Sequence, residues 1–345
     1  MLEKFLVGTY TKKTSQGVYE MALDTTSNEL TAPTLVAKAS SPTYLALSKA
    51  NKLYTVDGDK SAGMGGTSAF DRSTTPATLL NHAFSKGTSS AYVAVDEARQ
   101  LVYEGNYHMG TLKSFAIQSD GSLKLTDVVT HQGEVGPLPE QADGPHVHYT
   151  NLTPDNRLIV CDLGMDQVTV YDVADDGKFS LVSTYQAEPG FGPRHVVFNP
   201  QKSICYLAGE LSSNISVLKY DEATGTLTHV QTLKTIPTDW TAHNGAAAIR
   251  ISNDGQFVYV SNRGFNSLAV FAVGEDGTLS LRQQISTEGD FPRDFDLDPS
   301  QQFVVAVNQN TDNATLYSRN ATTGQLKLIQ KDVAVPEPVC VLFEN

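Results

Sequence analysis

Three short segments of the chain combine proline with cations or imidazoles, the side chains that bind anions and move protons. Residues 144–148 read Gly-Pro-His-Val-His, residues 192–195 read Gly-Pro-Arg-His, and residues 291–294 read Phe-Pro-Arg-Asp. Guanidinium groups hold carboxylates and phosphates through forked hydrogen bonds, and imidazoles exchange protons near neutral pH. These segments are therefore candidates for an anion-binding site in which a histidine binds or transforms the substrate.

A second set of polar segments follows apolar runs. Residues 209–214 read Gly-Glu-Leu-Ser-Ser-Asn, residues 261–267 read Ser-Asn-Arg-Gly-Phe-Asn-Ser, and residues 308–310 read Asn-Gln-Asn. The whole chain has only 25 lysines and arginines. A grouping of Arg194, Arg263 and Arg293 would therefore be a marked local excess of positive charge, and it predicts an anionic ligand.

Each of these residues also has a simpler interpretation. His146 and His148 are two positions apart, so on a regular strand they share one face and could hold a metal. Glu210 is the only acidic neighbour predicted beside them, and we therefore predict no metal site. A structural, hydrogen-bonding histidine is an alternative, and Glu210 has a second interpretation as the salt-bridge partner of Arg194 or Arg263.

The elements that would position these residues repeat along the chain. Seven apolar runs resemble one another, and their central residues are Val7, Tyr54, Tyr103, Val160, Tyr206, Tyr259 and Val305. Successive members lie 46 to 57 residues apart, which is a period typical of propeller blades. Asp-Gly and Thr-Gly pairs follow the next apolar run in most repeats and suit the tight turns of an antiparallel meander. No segment has a sustained helical period, so we expect few helices.

The first repeat lacks a strand before its apolar run, and the missing strand is found at the other end of the chain. Residues 338–343, Pro-Val-Cys-Val-Leu-Phe, fit the pattern of a blade's first strand. The fold class predicted is therefore all-β: a seven-bladed propeller of four-stranded antiparallel blades, closed by this C-terminal strand joining the N-terminal blade. Residues 1–345 are predicted to form one domain.

This topology predicts where the polar segments meet. In a four-stranded meander the first strand starts at the face where the second strand ends. The loops that enter first strands and those that leave second strands therefore surround one mouth of the central channel, and both sets of polar segments occupy these loops. A site that uses several blades should lie there.

Composition and charge exclude several classes of protein. Hydrophobic residues make up 40 % of the chain, charged residues 18 %, and the formal net charge is −13. Such a composition is neither disordered nor coiled-coil, and the negative charge disfavours nucleic-acid and anionic-membrane partners. Residues 1–10 lack the long apolar core of a secretory signal. Cys161, Cys205 and Cys340 lie in apolar runs without metal-ligand spacing, which favours reduced core thiols and a cytoplasmic location.

The segments quoted above, together with Gly-Pro-Arg-His-Val-Val-Phe-Asn-Pro and Val-Ser-Asn-Arg-Gly, resemble the seven-bladed β-propeller lactonase family in order and spacing. This family is typified by the bacterial propeller-type 6-phosphogluconolactonases and is similar to carboxymuconate lactonizing enzymes. The resemblance covers essentially the whole chain. Residue 149 is Tyr where relatives often have Ser, and residues 57–73 match the family poorly.

The resemblance implies hydrolysis of a sugar-phosphate lactone, 6-phosphogluconolactone, in the pentose phosphate pathway. The alternatives are a lactonase or cycloisomerase acting on another lactone, and a non-catalytic propeller that binds an anionic metabolite or a protein partner. We expect no cofactor, no nucleic-acid or membrane partner, and a monomer or weak homo-oligomer. The predicted catalytic residues are Glu210, His146, His148, Arg194 and Arg263, and the predicted substrate-binding residues are Arg293, His195, Asn262 and Asn308. Either Glu210 or a histidine is the expected general base.

Overall fold

The computed structural model describes residues 1–344, which form seven antiparallel sheets arranged in a ring. The helical structure in this range is one 3-10 turn, Pro139–Gln141, in the long loop before the fourth blade. The predicted seven-bladed propeller is therefore confirmed.

The strands follow the chain in blade order. Blade one starts with β1 (Leu2–Thr9), β2 (Gly17–Asp24), β3 (Glu29–Leu30) and β4 (Thr34–Lys38). Blade two has β5 (Leu45–Leu47), β6 (Lys52–Asp59), β7 (Met64–Asp71) and β8 (Thr78–Lys86), and blade three has β9 (Tyr92–Asp96), β10 (Leu101–Asn106), β11 (Thr111–Ile117) and β12 (Leu123–Thr130). Blade four has β13 (Val147–Leu152), β14 (Leu158–Asp162), β15 (Gln167–Val173) and β16 (Phe179–Gln186).

The remaining blades repeat this order. Blade five has β17 (Pro193–Phe198), β18 (Ile204–Gly209), β19 (Asn214–Asp221) and β20 (Thr226–Lys234). Blade six has β21 (Gly245–Ile251), β22 (Phe257–Arg263), β23 (Ser267–Val273) and β24 (Leu279–Ser286), and blade seven has β25 (Pro292–Leu297), β26 (Phe303–Asn308), β27 (Asn313–Arg319) and β28 (Leu326–Ala334). The last strand, β29 (Pro338–Phe343), returns to blade one.

The ring closes through the two ends of the chain, as predicted. Strand β29 pairs antiparallel with β1, with Val7 opposite Val341 and Phe5 opposite Phe343. The rings of Phe5 and Phe343 lie 5.0 Å apart in the apolar core between blades one and seven. Blade one is therefore held by backbone hydrogen bonds and by packing, and it leaves no open inner edge.

Three of the four tyrosines that mark the sequence repeat join neighbouring blades. The hydroxyl of Tyr206 donates to the carbonyl oxygen of Gly277 at 3.1 Å, in the β23–β24 turn of the next blade. Tyr54 and Tyr259 make the same bond to the corresponding turns of blades three and seven. Gly277 has a φ of +84°, which glycine adopts without the clash that other residues would meet. The repeated tyrosine and the repeated glycine are thus two halves of one contact between blades.

The apolar residues of the second and third strands fill the space between blades, where all three cysteines lie buried as free thiols, as predicted. Within residues 1–344, no helix combines the length and the apolar character that crossing a membrane requires. Each interval of about 50 residues in the sequence repeat thus corresponds to one blade of the propeller.

Candidate active site

A cavity of about 300 Å³ lies at the mouth of the channel where inner strands begin and second strands end. Every blade contributes at least one side chain to its wall. The lining residues are Tyr10, Lys12, Ser41, Thr43, Lys60, Ser89, Ser90, Ala91, Tyr107, His108, His148, Glu210, Arg263 and Arg293.

Glu210 is the centre of a buried cluster of charges. Its Oε2 lies 2.8 Å from Nε of Arg194 and 2.9 Å from Nη2 of Arg263. These approaches are ion pairs without hydrogen-bond geometry, and Oε2 of Glu210 and Nε of Arg194 have no hydrogen-bond partner among residues 1–344. The same is true of Nδ1 of His148 and Oγ of Ser90. Buried polar atoms without partners are costly, so this concentration of them is typical of a site built for a ligand.

The local backbone brings the charges together. Glu210 follows β18 directly, and its amide donates to the carbonyl oxygen of Gly192 at 2.8 Å, next to the start of β17 that carries Arg194. Gly245 lies opposite Arg263 in the β21–β22 pair. A Cβ at Gly245 would lie 2.9 Å from Nη2 of Arg263, so glycine allows the guanidinium to lie against the backbone.

The two candidate histidines have different surroundings. Nε2 of His148 lies 4.0 Å from Oε2 of Glu210, and His148 lines the cavity. His146 stacks on the ring of Tyr107 at 4.0 Å, and its two ring nitrogens face the carbonyl oxygen of Tyr107 and the carboxylate of Asp143. The expectation that both histidines share one strand face is wrong, because β13 begins only at Val147.

Burial and neighbouring charges set the protonation of this cluster. Burial, followed by the charge of Arg194, lowers the pKa of His148 well below its usual 6.5. Burial raises the pKa of Glu210, but Arg263 and Arg194 more than offset this and hold the pKa well below its usual range. Burial and Arg263 lower the pKa of Arg194 to about 9. At neutral pH the site therefore holds an uncharged imidazole beside a charged carboxylate.

The other predicted residues lie at several depths. Arg293 lines the cavity, while His195 lies deeper, with Nε2 3.3 Å from Nη1 of Arg194, and borders a second cavity in the far half of the channel. Asn262 bonds to the backbone and side chain of Thr235 within the adjoining loop. Asn308 donates to the carbonyl oxygen of Thr287. The structure thus brings Glu210, His148, Arg263 and Arg293 to the cavity and buries Arg194 against Glu210. It leaves His146, His195 and the two asparagines outside the cavity.

Most of the lining residues were missed at the sequence level, among them Tyr10, Lys12, Lys60, Ser90 and Tyr107. Tyr10, Lys60 and Tyr107 each follow a second strand directly, namely β1, β6 and β10. Ser90 precedes the first strand of blade three. The loop rule that predicted the charged residues of blades five and six would have found these residues too, had it been applied to every blade.

The structure shows no group of three or more His, Cys, Asp or Glu side chains able to hold a metal among residues 1–344. The arrangement offers an uncharged base, a fixed carboxylate and several cations around one small cavity. Such a set can activate a water molecule and stabilise the negative charge that develops during acyl transfer.

Comparison with known proteins agrees with this fold. The family model Lactonase, 7-bladed beta-propeller matches residues 4–343. A 6-phosphogluconolactonase of Bacillus subtilis is 40 % identical over 343 residues, covering 98 % of this chain and 97 % of its own. A crystal structure of a protein from Lactobacillus plantarum is 60 % identical, with a TM-score of 0.98 and full coverage of both chains. The periplasmic gluconolactonase of Pseudomonas aeruginosa is 29 % identical, with a TM-score of 0.90 and 99 % coverage of both.

Proposed function

The chain belongs to the seven-bladed β-propeller lactonase family, and from this we propose that it hydrolyses a sugar lactone, specifically 6-phosphogluconolactone to 6-phosphogluconate in the pentose phosphate pathway. The observation that carries the proposal is that His148, Glu210 and Arg263 line one cavity, with Arg194 buried against Glu210. A non-catalytic propeller has no need of a base placed beside an anion clamp.

The proposed reaction begins with a water molecule and the lactone carbonyl carbon. His148 accepts a proton from the water as its oxygen attacks, because the lowered pKa of His148 keeps this imidazole uncharged. The lowered pKa of Glu210 keeps its carboxylate charged, and this carboxylate holds Arg194 and Arg263 in place. The carbonyl oxygen gains negative charge, which Arg263 stabilises from the cavity wall and the buried charge of Arg194 stabilises from its place beside Glu210.

Collapse of the tetrahedral intermediate breaks the bond between the carbonyl carbon and the ring oxygen. The protonated His148 returns its proton to that oxygen, which leaves as a hydroxyl group, and the carboxylic acid product ionises in water. Arg293 binds the anionic group of the substrate. The reaction as proposed uses no metal or organic cofactor, and the expectation of none stays a prediction. The cytoplasmic location and the oligomeric state stay predictions.

A second candidate substrate is an unphosphorylated sugar lactone. The structural likeness to the Pseudomonas gluconolactonase favours it. The same residues would react with both substrates. The two substrates would differ only in the group that binds on the side of the cavity opposite these residues.

The experiment is a pH-stat assay on freshly prepared 6-phosphogluconolactone, corrected for spontaneous hydrolysis. Arg194→Met is compared with Arg282→Met, which changes an exposed arginine on the outer strand β24. We expect acceleration by the wild type and by the Arg282 variant, and a loss of about 100-fold or more in the Arg194 variant. No acceleration by the wild type would refute the substrate, and equal rates for all three proteins would refute the role of Arg194.

A further inference from the structure

The cations around the mouth fall into two groups on different sides of the ring. Blades four, five and six carry His148, Arg194, Glu210 and Arg263, which we call the reaction sector. Blades seven, one and two carry Arg293, Tyr10, Lys12 and Lys60, which we call the cation sector. Both sectors border the same cavity, so one small molecule can contact both.

The two sectors differ in charge compensation. In the reaction sector, the carboxylate of Glu210 lies against Arg194 and Arg263. In the cation sector, no carboxylate among residues 1–344 lies within ion-pair distance of Arg293, Lys12 or Lys60. The chain as a whole has a net charge of −13. Three uncompensated cations at one cavity in an acidic protein are best explained by an anionic group of a ligand.

Tyr10 joins two members of the cation sector. Nζ of Lys12 lies 4.0 Å from the centre of the Tyr10 ring, and Cζ of Arg293 lies 5.7 Å from it. The charge of Arg293, and after it that of Lys12, lowers the pKa of Tyr10, although burial opposes this. The two cations therefore flank one half-buried ring and act on the same small volume.

The loop that carries Lys12 is fixed from the C-terminal end of the chain. The carboxylate of Glu337 accepts hydrogen bonds from four backbone amides. Those of Lys12 and Lys13 lie at 2.9 Å, and those of Thr14 and Ser15 at 3.1 and 3.2 Å. Because its oxygens bind backbone amides, this carboxylate leaves the Lys12 ammonium free for a ligand. The position of Lys12 is therefore set before a ligand arrives, which reduces the entropy lost on binding.

We propose that Lys12, Lys60 and Arg293 form a phosphoryl-binding subsite that makes the enzyme select a phosphorylated sugar lactone over an unphosphorylated one. The inference rests on the proposed lactonase function. In such a substrate the ring oxygen, two carbons and the ester oxygen separate the carbonyl carbon from the phosphorus. With the carbonyl carbon in the reaction sector, the phosphoryl group extends to the cation sector. Ammonium and guanidinium groups are the usual protein ligands of phosphate.

The direct test is equilibrium binding of 6-phosphogluconate and gluconate, measured by titration calorimetry. The double variant Lys12→Met and Lys60→Met removes two charges from exposed side chains, and Lys13→Met is the matched control because Lys13 pairs with Asp312 outside the cavity. We expect the wild type and the control to prefer 6-phosphogluconate at least 10-fold, and the double variant to lose about 10- to 100-fold of that preference. Equal binding of both ligands by the wild type, or an unchanged preference in the double variant, would overturn the proposal.

A kinetic measurement tests the subsite separately from the proposed lactonase activity. The ratio of kcat/KM for 6-phosphogluconolactone to that for gluconolactone should fall in the double variant and stay constant in the control. If the wild type hydrolyses neither lactone but keeps its binding preference, the proposed lactonase function fails and the subsite is supported. If it hydrolyses both lactones and the ratio is the same in all proteins, the function is supported and the subsite fails.

Discussion

Nε2 of His148 lies 4.0 Å from Oε2 of Glu210 at the wall of the cavity. This distance is too long for a direct hydrogen bond, so the two side chains interact through electrostatics alone. The pKa of each residue is lowered, so His148 is uncharged and Glu210 is charged at neutral pH. An uncharged imidazole beside a permanent anion supports the proposal that the histidine transfers the proton and the glutamate gives electrostatic support.

Replacement of the proposed base should abolish most of the activity. We expect His148→Gln to lower kcat/KM for 6-phosphogluconolactone by about 100- to 10,000-fold, the range typical of a lost general base. His146→Gln should cost about 10-fold or less, since His146 touches Tyr107 and Asp143 rather than the cavity. His229→Gln, on an exposed outer strand, serves as the unaffected control. A larger loss for His146 than for His148 would reverse the assignment.

The pH dependence of kcat/KM should report the protonation of His148. Because burial and Arg194 lower its pKa, the acid limb should lie below pH 6.5, and the rate should be flat from about pH 6.5 to 8. Arg194→Met removes a charge that lowers this pKa, so its acid limb should move to higher pH. Glu210→Gln removes a charge that raises it, so its acid limb should move to lower pH. Shifts of equal sign in the two variants would argue against His148 as the titrating group.

The fold and part of this site could be predicted because they follow from repetition. The period of the apolar runs predicted the blades, and the leftover strand at residues 338–343 predicted ring closure, which β29 confirms. The meander then predicted which loops share a mouth, and this rule located Glu210 and Arg263. None of these steps depends on the exact course of the backbone within a strand.

What could not be predicted depends on local geometry and on burial. His146 and His148 looked equivalent by alternation, but β13 begins at Val147 and its pairing with β14 shifts between Val147 and Tyr149. Lys12 and Lys60 have no recognisable motif, so the loop rule places them near the mouth but does not show that their side chains reach one cavity with Arg293. The protonation states of His148 and Glu210 arise from burial among residues of other blades, which no local pattern contains.

Glu210 should also stabilise the folded protein. Glu210→Gln leaves Arg194 and Arg263 buried without a counter-charge, and we expect it to lower the free energy of unfolding by about 3 kcal/mol. Adding Arg194→Met to Glu210→Gln should restore part of this loss, which a double-mutant cycle in urea would measure. Unchanged stability of Glu210→Gln would show that the arginines find compensation elsewhere.

The stabilisation by Glu210 has a defined pH window. The pKa of Glu210 in the folded protein is below its unfolded value of about 4.5, so the carboxylate contributes fully above pH 4.5 and progressively less as the pH falls from there. The difference in unfolding free energy between wild type and Glu210→Gln should therefore be constant from about pH 5 to 7 and shrink at lower pH. A difference that grew on acidification would contradict the lowered pKa.

Glu337 couples ring closure to the cavity, so its loss should affect both stability and binding. It is buried just before β29, and its carboxylate accepts the backbone amides of residues 12 to 15. Glu337→Gln keeps the size of the side chain but replaces one acceptor oxygen by an amide donor that faces backbone N–H groups. We expect a loss of about 1–3 kcal/mol in unfolding free energy, measured in urea. Glu29→Gln, on the exposed edge strand β3, should change it by less than about 0.5 kcal/mol.

The same Glu337→Gln variant should bind 6-phosphogluconate less tightly, because the segment that carries Tyr10 and Lys12 is no longer held in place. Its affinity for gluconate should change less, since the reaction sector lies on the other blades. Equal weakening for both ligands would mean that Glu337 supports the ring as a whole rather than the cation sector. A loss confined to 6-phosphogluconate would connect the closing strand of the propeller to the choice of substrate, because Glu337, directly before β29, binds the segment with Tyr10 and Lys12 through its carboxylate and its backbone carbonyl.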